Sequence, residues 1–109
     1  MFVNLLRRLS DWVGDRHLDT AIRDALRRDG YGVHMAAIRD VRLSAVERPG
    51  WVQVYTFWVE TTDAARQPIE VFGVSLNDGR QIGTEVFLSP DPMARDAQFA
   101  QWSTGMTVR

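Results

Sequence analysis

The sequence contains no cysteine and no lysine. Without cysteine the chain has no disulfide bonds, no thiol nucleophile and no zinc or iron–sulfur site with cysteine ligands. Without lysine it has no Schiff-base chemistry and no P-loop lysine for nucleotide phosphates. All 13 basic side chains are therefore arginines, a usage that we interpret as the bias of a GC-rich, bacterial genome.

The chain also lacks a long hydrophobic run and an excess of charge of either sign. No stretch is long enough to span a bilayer, and the arginines near the start follow the apolar residues, unlike the order in a signal peptide. The formal net charge of -1 provides no overall field that would attract nucleic acid. We therefore expect a cytoplasmic protein with no transmembrane segment and no nucleic-acid partner.

The composition is that of a folded globular protein. Hydrophobic residues make up 45% of the chain and charged residues 25%, which is a usual balance for soluble domains. A length of 109 residues is typical of one domain with its own core. The sequence therefore predicts a single domain over residues 1–109.

Two amphipathic helical patterns occupy the first part of the chain. The first covers residues 2–13 and ends near Gly14, and the second ends at Gly30, which is placed as a C-terminal stop. The second pattern also predicts two ion pairs between residues four apart. Its apolar residues are Leu18, Ile22, Ala25 and Leu26, and its ion pairs are Asp19 with Arg23 and Asp24 with Arg28.

From Val33 the hydrophobic period changes to two, which indicates strands. The first strand carries apolar residues at odd positions up to Ala45, with a bulge predicted near Ile38 to Asp40. Arg-Pro-Gly after the first strand and Asn-Asp-Gly at residues 77–79 are turn signals. Those later strands are predicted at 51–60, 69–76 and 80–88.

A short helix is predicted after the strands. Asp91 is placed to cap it, Pro92 to occupy its first turn and Gly105 to end it. The predicted fold class is therefore α+β, with N-terminal helices packed on an antiparallel sheet of about four strands and a short C-terminal helix.

The strand at 51–60 has apolar residues on both of its faces. An antiparallel sheet with helices on one side normally has a polar second face. Three covers are open for that second face: a helix of the same chain that crosses to it, a second subunit, or a curled sheet that encloses an apolar pocket.

The apolar second face of this sheet is the predicted site of binding. We expect a non-enzymatic binding or assembly protein that uses an apolar sheet face to form a homodimer or to hold another protein. No cofactor is expected. The residues predicted to bind are Trp51, Tyr55, Phe57, Trp58 and His34.

A small pocket enzyme is the alternative from another class. His34 with Asp40 or Glu60 would supply an acid–base pair. The chain contains neither an HExxH nor an EF-hand pattern, so no metal site is predicted.

One helix followed by a four-stranded antiparallel meander, from Leu18 to Leu88, resembles the cystatin-like superfamily in its organisation. The first hairpin loop, Val-Glu-Arg-Pro-Gly, ends in Gly50 as the inhibitory cystatin loop does, and this is the only match to the Gln-x-Val-x-Gly pattern of that loop. The resemblance implies a protease inhibitor that presents residues 48–51. Alternatively, it implies a nuclear-transport-factor-like cone whose sheet holds a ligand or forms a dimer face.

Overall fold

The computed structural model describes residues 17–47, 51–78 and 84–109. The predicted first helix, the predicted turn at 48–50 and Gly79 of the predicted Asn-Asp-Gly turn lie outside the described residues. Asn77 and Asp78 of that turn instead end the strand Pro68–Asp78, so the turn does not lie where the sequence predicted it. The described elements in chain order are α1 (residues 17–28), β1 (Ala37–Glu47), β2 (Val52–Thr62), β3 (Pro68–Asp78), β4 (Thr84–Ser89), α2 (Pro92–Trp102) and β5 (Thr107–Val108).

The strands form one antiparallel sheet in the order β4-β3-β2-β1-β5. The protein is thus α+β, and four of the strands form the predicted meander. The fifth strand, β5, was not predicted. It pairs with Ala45 and Val46 of β1, and the Arg109 amide donates to the Ser44 carbonyl over 2.8 Å. Two residues are too few to show a strand period in the sequence.

The bulge predicted in β1 is confirmed. The register with β2 shifts between Arg39 and Arg42, and Asp40 has a positive φ of 51°. A short polar side chain tolerates this left-handed conformation better than most. The strand begins at Ala37 and not at Val33 as predicted, because His34 and Met35 form a turn.

Helix α1 presents the predicted apolar face to the sheet: Leu18, Ile22, Ala25 and Leu26 are all buried. The chain turns away at Gly30, whose φ of 86° favours glycine. Among its predicted ion pairs, Asp19 with Arg23 forms at 2.9 Å.

The second predicted ion pair of α1 was wrong. Asp24 instead pairs with Arg27 at 3.2 Å, and Arg28 pairs with Asp29 at 2.9 Å. The reason is that the Arg28 side chain extends toward the sheet, where its Nη2 atom donates to the Val86 carbonyl over 3.0 Å.

Helix α2 begins as the sequence predicts, but it ends at Trp102 and not at Gly105. The Asp91 carboxylate accepts a hydrogen bond from the Met93 amide over 3.0 Å, and Pro92 opens the helix. The helix ends at Trp102, and the chain reverses at Gly105, whose φ is 79°. This reversal leads the chain into β5.

The two helices lie on opposite faces of the sheet. Helix α1 packs with Phe57 and Val59 of β2, whereas Phe99 and Trp102 of α2 pack with Val54, which has the opposite parity. Of the three covers that the sequence left open for the second face, the structure shows a helix of the same chain, α2. The rest of the α2-face cluster is Ala45, Val74, Leu76, Phe87 and Met106.

The α1 face depends on a close contact between Phe57 and Gly73, which are directly opposite each other on β2 and β3. A Cβ atom on Gly73 would lie 2.3 Å from two carbon atoms of the Phe57 ring and 3.0 Å from a Leu88 methyl carbon. We therefore expect Gly73→Ala to lower the free energy of unfolding by about 1–3 kcal/mol, the usual cost of overpacking a core. Urea denaturation measures this change.

A second substitution separates the ring contact from a general effect on the strand. Phe57→Leu shortens the side chain over Gly73, so Gly73→Ala should cost less in the Phe57→Leu background than in the wild type. Equal costs in both backgrounds would mean that the Phe57 ring is not what excludes a methyl group at this position.

Candidate functional site

The residues predicted to bind do not form one surface. Tyr55 and Phe57 face α1, and Phe57 is only 1% exposed, whereas Trp58 points to the opposite face. Neighbouring strand residues alternate between faces, so these three cannot be presented together. Trp51 is exposed at the start of β2, and His34 is exposed in the turn before β1.

The predicted acid–base pair is not assembled either. Asp40 accepts a hydrogen bond from the Trp58 indole nitrogen over 2.8 Å, and Glu60 pairs with Arg39 at 3.4 Å. Among the described residues, no hydrogen bond joins His34 to Asp40 or Glu60. In the same part of the chain, no group of three or more His, Asp and Glu side chains is arranged to hold a metal ion.

The contacts around Trp58 hold the bulge of β1 and the helix α2 together. The bulge of β1 lies opposite Phe57, since Arg39 pairs with Trp58 and Arg42 with Thr56. The Arg95 guanidinium, reaching over from α2, donates to the Phe57 carbonyl over 3.3 Å and lies 5.8 Å from the centre of the Phe72 ring. These contacts connect the first turn of α2 to the part of the sheet that contains the bulge.

The two edges of the sheet differ in how open they are. The outer side of β1 is interrupted by the bulge at Asp40, carries Arg39 and Arg42 beside it, and is paired with β5 at Ala45 and Val46. Bulges and charged side chains are the usual means by which an edge strand avoids further pairing. The β1 edge is therefore protected from pairing with a further strand.

The edge formed by β4 is regular. Its six residues pair with β3 in unbroken register from Thr84 opposite Asn77 to Ser89 opposite Phe72. The Val86 carbonyl accepts a hydrogen bond from Arg28, from which we infer that it points away from β3. By the alternation of an antiparallel strand, the backbone groups of Thr84 and Leu88 point the same way. Within the described residues, no strand pairs with this side of β4.

An open groove of about 920 Å³ runs along this edge. One flank of α1 forms its first wall, and Phe87 and Trp102 form part of the opposite wall. The β4 edge thus lies between the layers that cover the two faces of the sheet. The α1 residues in the wall are His17, Thr20, Ala21, Asp24, Ala25 and Arg28.

Arg28 is a charged group that contacts the backbone of this edge. Its hydrogen bond with Asp29 raises the pKa of the guanidinium, burial acts in the opposite direction, and the charge of Asp29 raises the pKa further. Arg28 is thus a permanent cation, and its side chain is 57% exposed. An exposed side chain of this kind can leave the Val86 carbonyl without disturbing the core.

The groove was missed by the sequence analysis. The predicted meander makes its fourth strand an edge strand, but the sequence gave no indication that α1 would lie beside that edge. The approach of α1 to Val86 joins residues 58 positions apart, and no local pattern signals such a contact.

Ser75 lies beneath α1, directly opposite Tyr55 and Val86 on the neighbouring strands. It is fully buried, and its hydroxyl has no hydrogen-bond partner among the described residues. An unsatisfied buried polar group costs about 1–3 kcal/mol. We therefore expect Ser75→Ala to leave the free energy of unfolding unchanged or to raise it by up to about 1 kcal/mol.

Thermal or urea denaturation measures the effect of Ser75→Ala, and Thr61 provides a matched control. It is also buried, but its hydroxyl donates to the Gly32 carbonyl. Thr61→Val should therefore lower the free energy of unfolding by about 1–2 kcal/mol. A comparable loss in Ser75→Ala would contradict the assignment of Ser75 as unsatisfied.

Comparison of the chain with protein-family models, with curated proteins and with solved structures gave no match. Within the described residues, neither helix has the length and apolar character needed to cross a membrane. The fold class, the groove and the β4 edge are therefore the grounds for a functional proposal.

Proposed function

We propose that this chain is a non-enzymatic binding protein that adds an extended segment of another polypeptide to the open edge of β4. The observation that carries the proposal is the contrast between the two edges. The β1 edge is bulged, charged and partly paired, whereas β4 is regular and borders a groove.

Strand addition uses the groups that this edge offers. The backbone hydrogen bonds of an added strand give affinity, and its alternating side chains give specificity through the pockets that they enter. One row of side chains would lie beside the flank of α1, where Ala21 and Ala25 leave room. The other row would lie beside Phe87 and Trp102.

The groove is preferred over the surfaces that the sequence suggested. A partner on the α1 face would have to displace α1 to reach Phe57, which is 1% exposed. A protease inhibitor of cystatin-like organisation would use residues 48–51, of which 48–50 lie outside the described residues. The acid–base alternative has no assembled pair at His34 to support it.

The proposal is tested by selecting peptides from a random library on the wild-type protein and measuring their binding to two variants of one residue. Val86→Pro removes the outward amide of the edge, and proline is tolerated on an edge strand. Val86→Ala shortens the same buried side chain but retains the amide. Peptides that bind by strand addition should bind Val86→Pro at least about tenfold more weakly than Val86→Ala, since each lost backbone hydrogen bond costs about 1 kcal/mol and proline also obstructs the approach.

Hydrogen exchange provides a second reading of the same experiment. A bound strand should slow exchange at the outward amides of Val86 and Leu88, and circular dichroism should show that both variants remain folded. Enrichment of peptides that bind the two variants equally, or the absence of any enriched peptide on a wild type that is monomeric, would overturn the assignment of the binding site to this edge.

A further inference from the structure

This inference rests on the function proposed for the β4 edge and names the polypeptide that occupies it. We propose that the added strand is β4 of a second copy of this chain. Two five-stranded sheets would then join across a two-fold axis into one continuous antiparallel sheet. Closed two-fold dimers are the commonest soluble oligomers, and their interfaces use the same patch on both subunits.

The β4 edge is able to pair with itself. A two-fold axis at Val86 places this residue opposite its own copy and places Thr84 opposite Leu88 of the second copy. The Val86 carbonyl faces outward toward Arg28, and Thr84 and Leu88 lie two residues away on the same strand. The backbone groups of all three residues therefore point outward. In this register the five residues from Thr84 to Leu88, of the six in β4, pair with the second copy, and five is within the usual length of a strand.

The flank of α1 beside this edge has complementary charges for the same axis. Arg28 reaches the Val86 carbonyl, so this stretch of α1 lies next to the proposed axis. The axis would bring the second copy of α1 alongside in the antiparallel direction. Asp24 and Arg28 are one helical turn apart, and side chains on a helix point back toward its N-terminus, so the proposal places the axis between these two residues. Each would then meet its opposite charge on the second copy.

The side chains on this flank of α1 are also small enough for the two helices to approach each other. Thr20, Ala21 and Ala25 are small residues of the groove wall, and small side chains allow two helices to come close. The exposed fractions of the Arg27 and Asp24 side chains are both 68%, so their present ion pair is solvated and contributes little. Asp24 is therefore free to change partners at small cost.

Arg28 has one role in the separate chain and another in the dimer. In the separate chain it covers the Val86 carbonyl, which protects the edge from unspecific pairing. On association that carbonyl accepts the Val86 amide of the second copy, and the guanidinium moves to Asp24 of the second copy. No backbone group loses a hydrogen bond in the exchange.

The test is a set of sedimentation and light-scattering measurements across a concentration series. We expect the wild type and Val86→Ala to dimerise and Val86→Pro to remain monomeric. Asp24→Arg and Arg28→Asp should each weaken the dimer about tenfold, because each change turns two attractive pairs into two repulsive ones. The double exchange of both residues should restore the affinity to within about threefold of the wild type.

Each other outcome overturns the inference. A wild type that is monomeric at every concentration excludes self-pairing, and so does a dimer that Val86→Pro leaves intact. Arg28→Asp is the sharpest of the variants, because it also uncovers the Val86 carbonyl. Stronger association of this variant would show that Arg28 only guards the edge.

The peptide selection distinguishes failure of this inference from failure of the proposed function. A monomeric wild type that binds selected peptides in a manner dependent on the Val86 amide retains the edge as a binding site and rejects only the second copy as its occupant. A monomeric wild type that binds no such peptide rejects both proposals.

Discussion

The organisation of this protein depends on shielding both faces of strand β2 from water. Phe57 and Val59 on one face and Val54 on the other are almost fully buried, and each face needs a separate cover. Because α1 supplies the first cover and α2 the second, the sheet becomes the middle layer of three. On the α1 face, the Phe57 ring occupies the space that a side chain on Gly73 would need.

A sheet with helices on both faces is most accessible to partners at its edges. The β1 edge has lost its regularity to the bulge at Asp40, which Trp58 and Arg95 help to hold in place. The β4 edge retains its regularity and is covered at one carbonyl by an arginine that is itself exposed. The sequence raised the question of what covers the second face of the sheet, and α2 covers it. The difference between the two edges makes the β4 edge the candidate site for a partner.

The proposed binding mode follows from backbone chemistry more than from a particular set of side chains. Strand addition requires unpaired amides and carbonyls in regular spacing, which almost any sequence of β4 would supply. What differs between proteins is the groove around the edge. Here Ala21 and Ala25 on one wall and Trp102 on the other would determine which side chains an added strand could carry.

The sequence by itself determined the local features of this fold. The buried face of α1, the bulge at Asp40 and the cap of α2 at Asp91 each depend on residues within a few positions, so periodicity and turn chemistry predicted them. Only the tertiary structure decided that α2 covers the face opposite α1, that β5 joins β1, and that Arg28 reaches Val86. These depend on contacts between residues distant in the chain, for which strand parity and helical period carry no information.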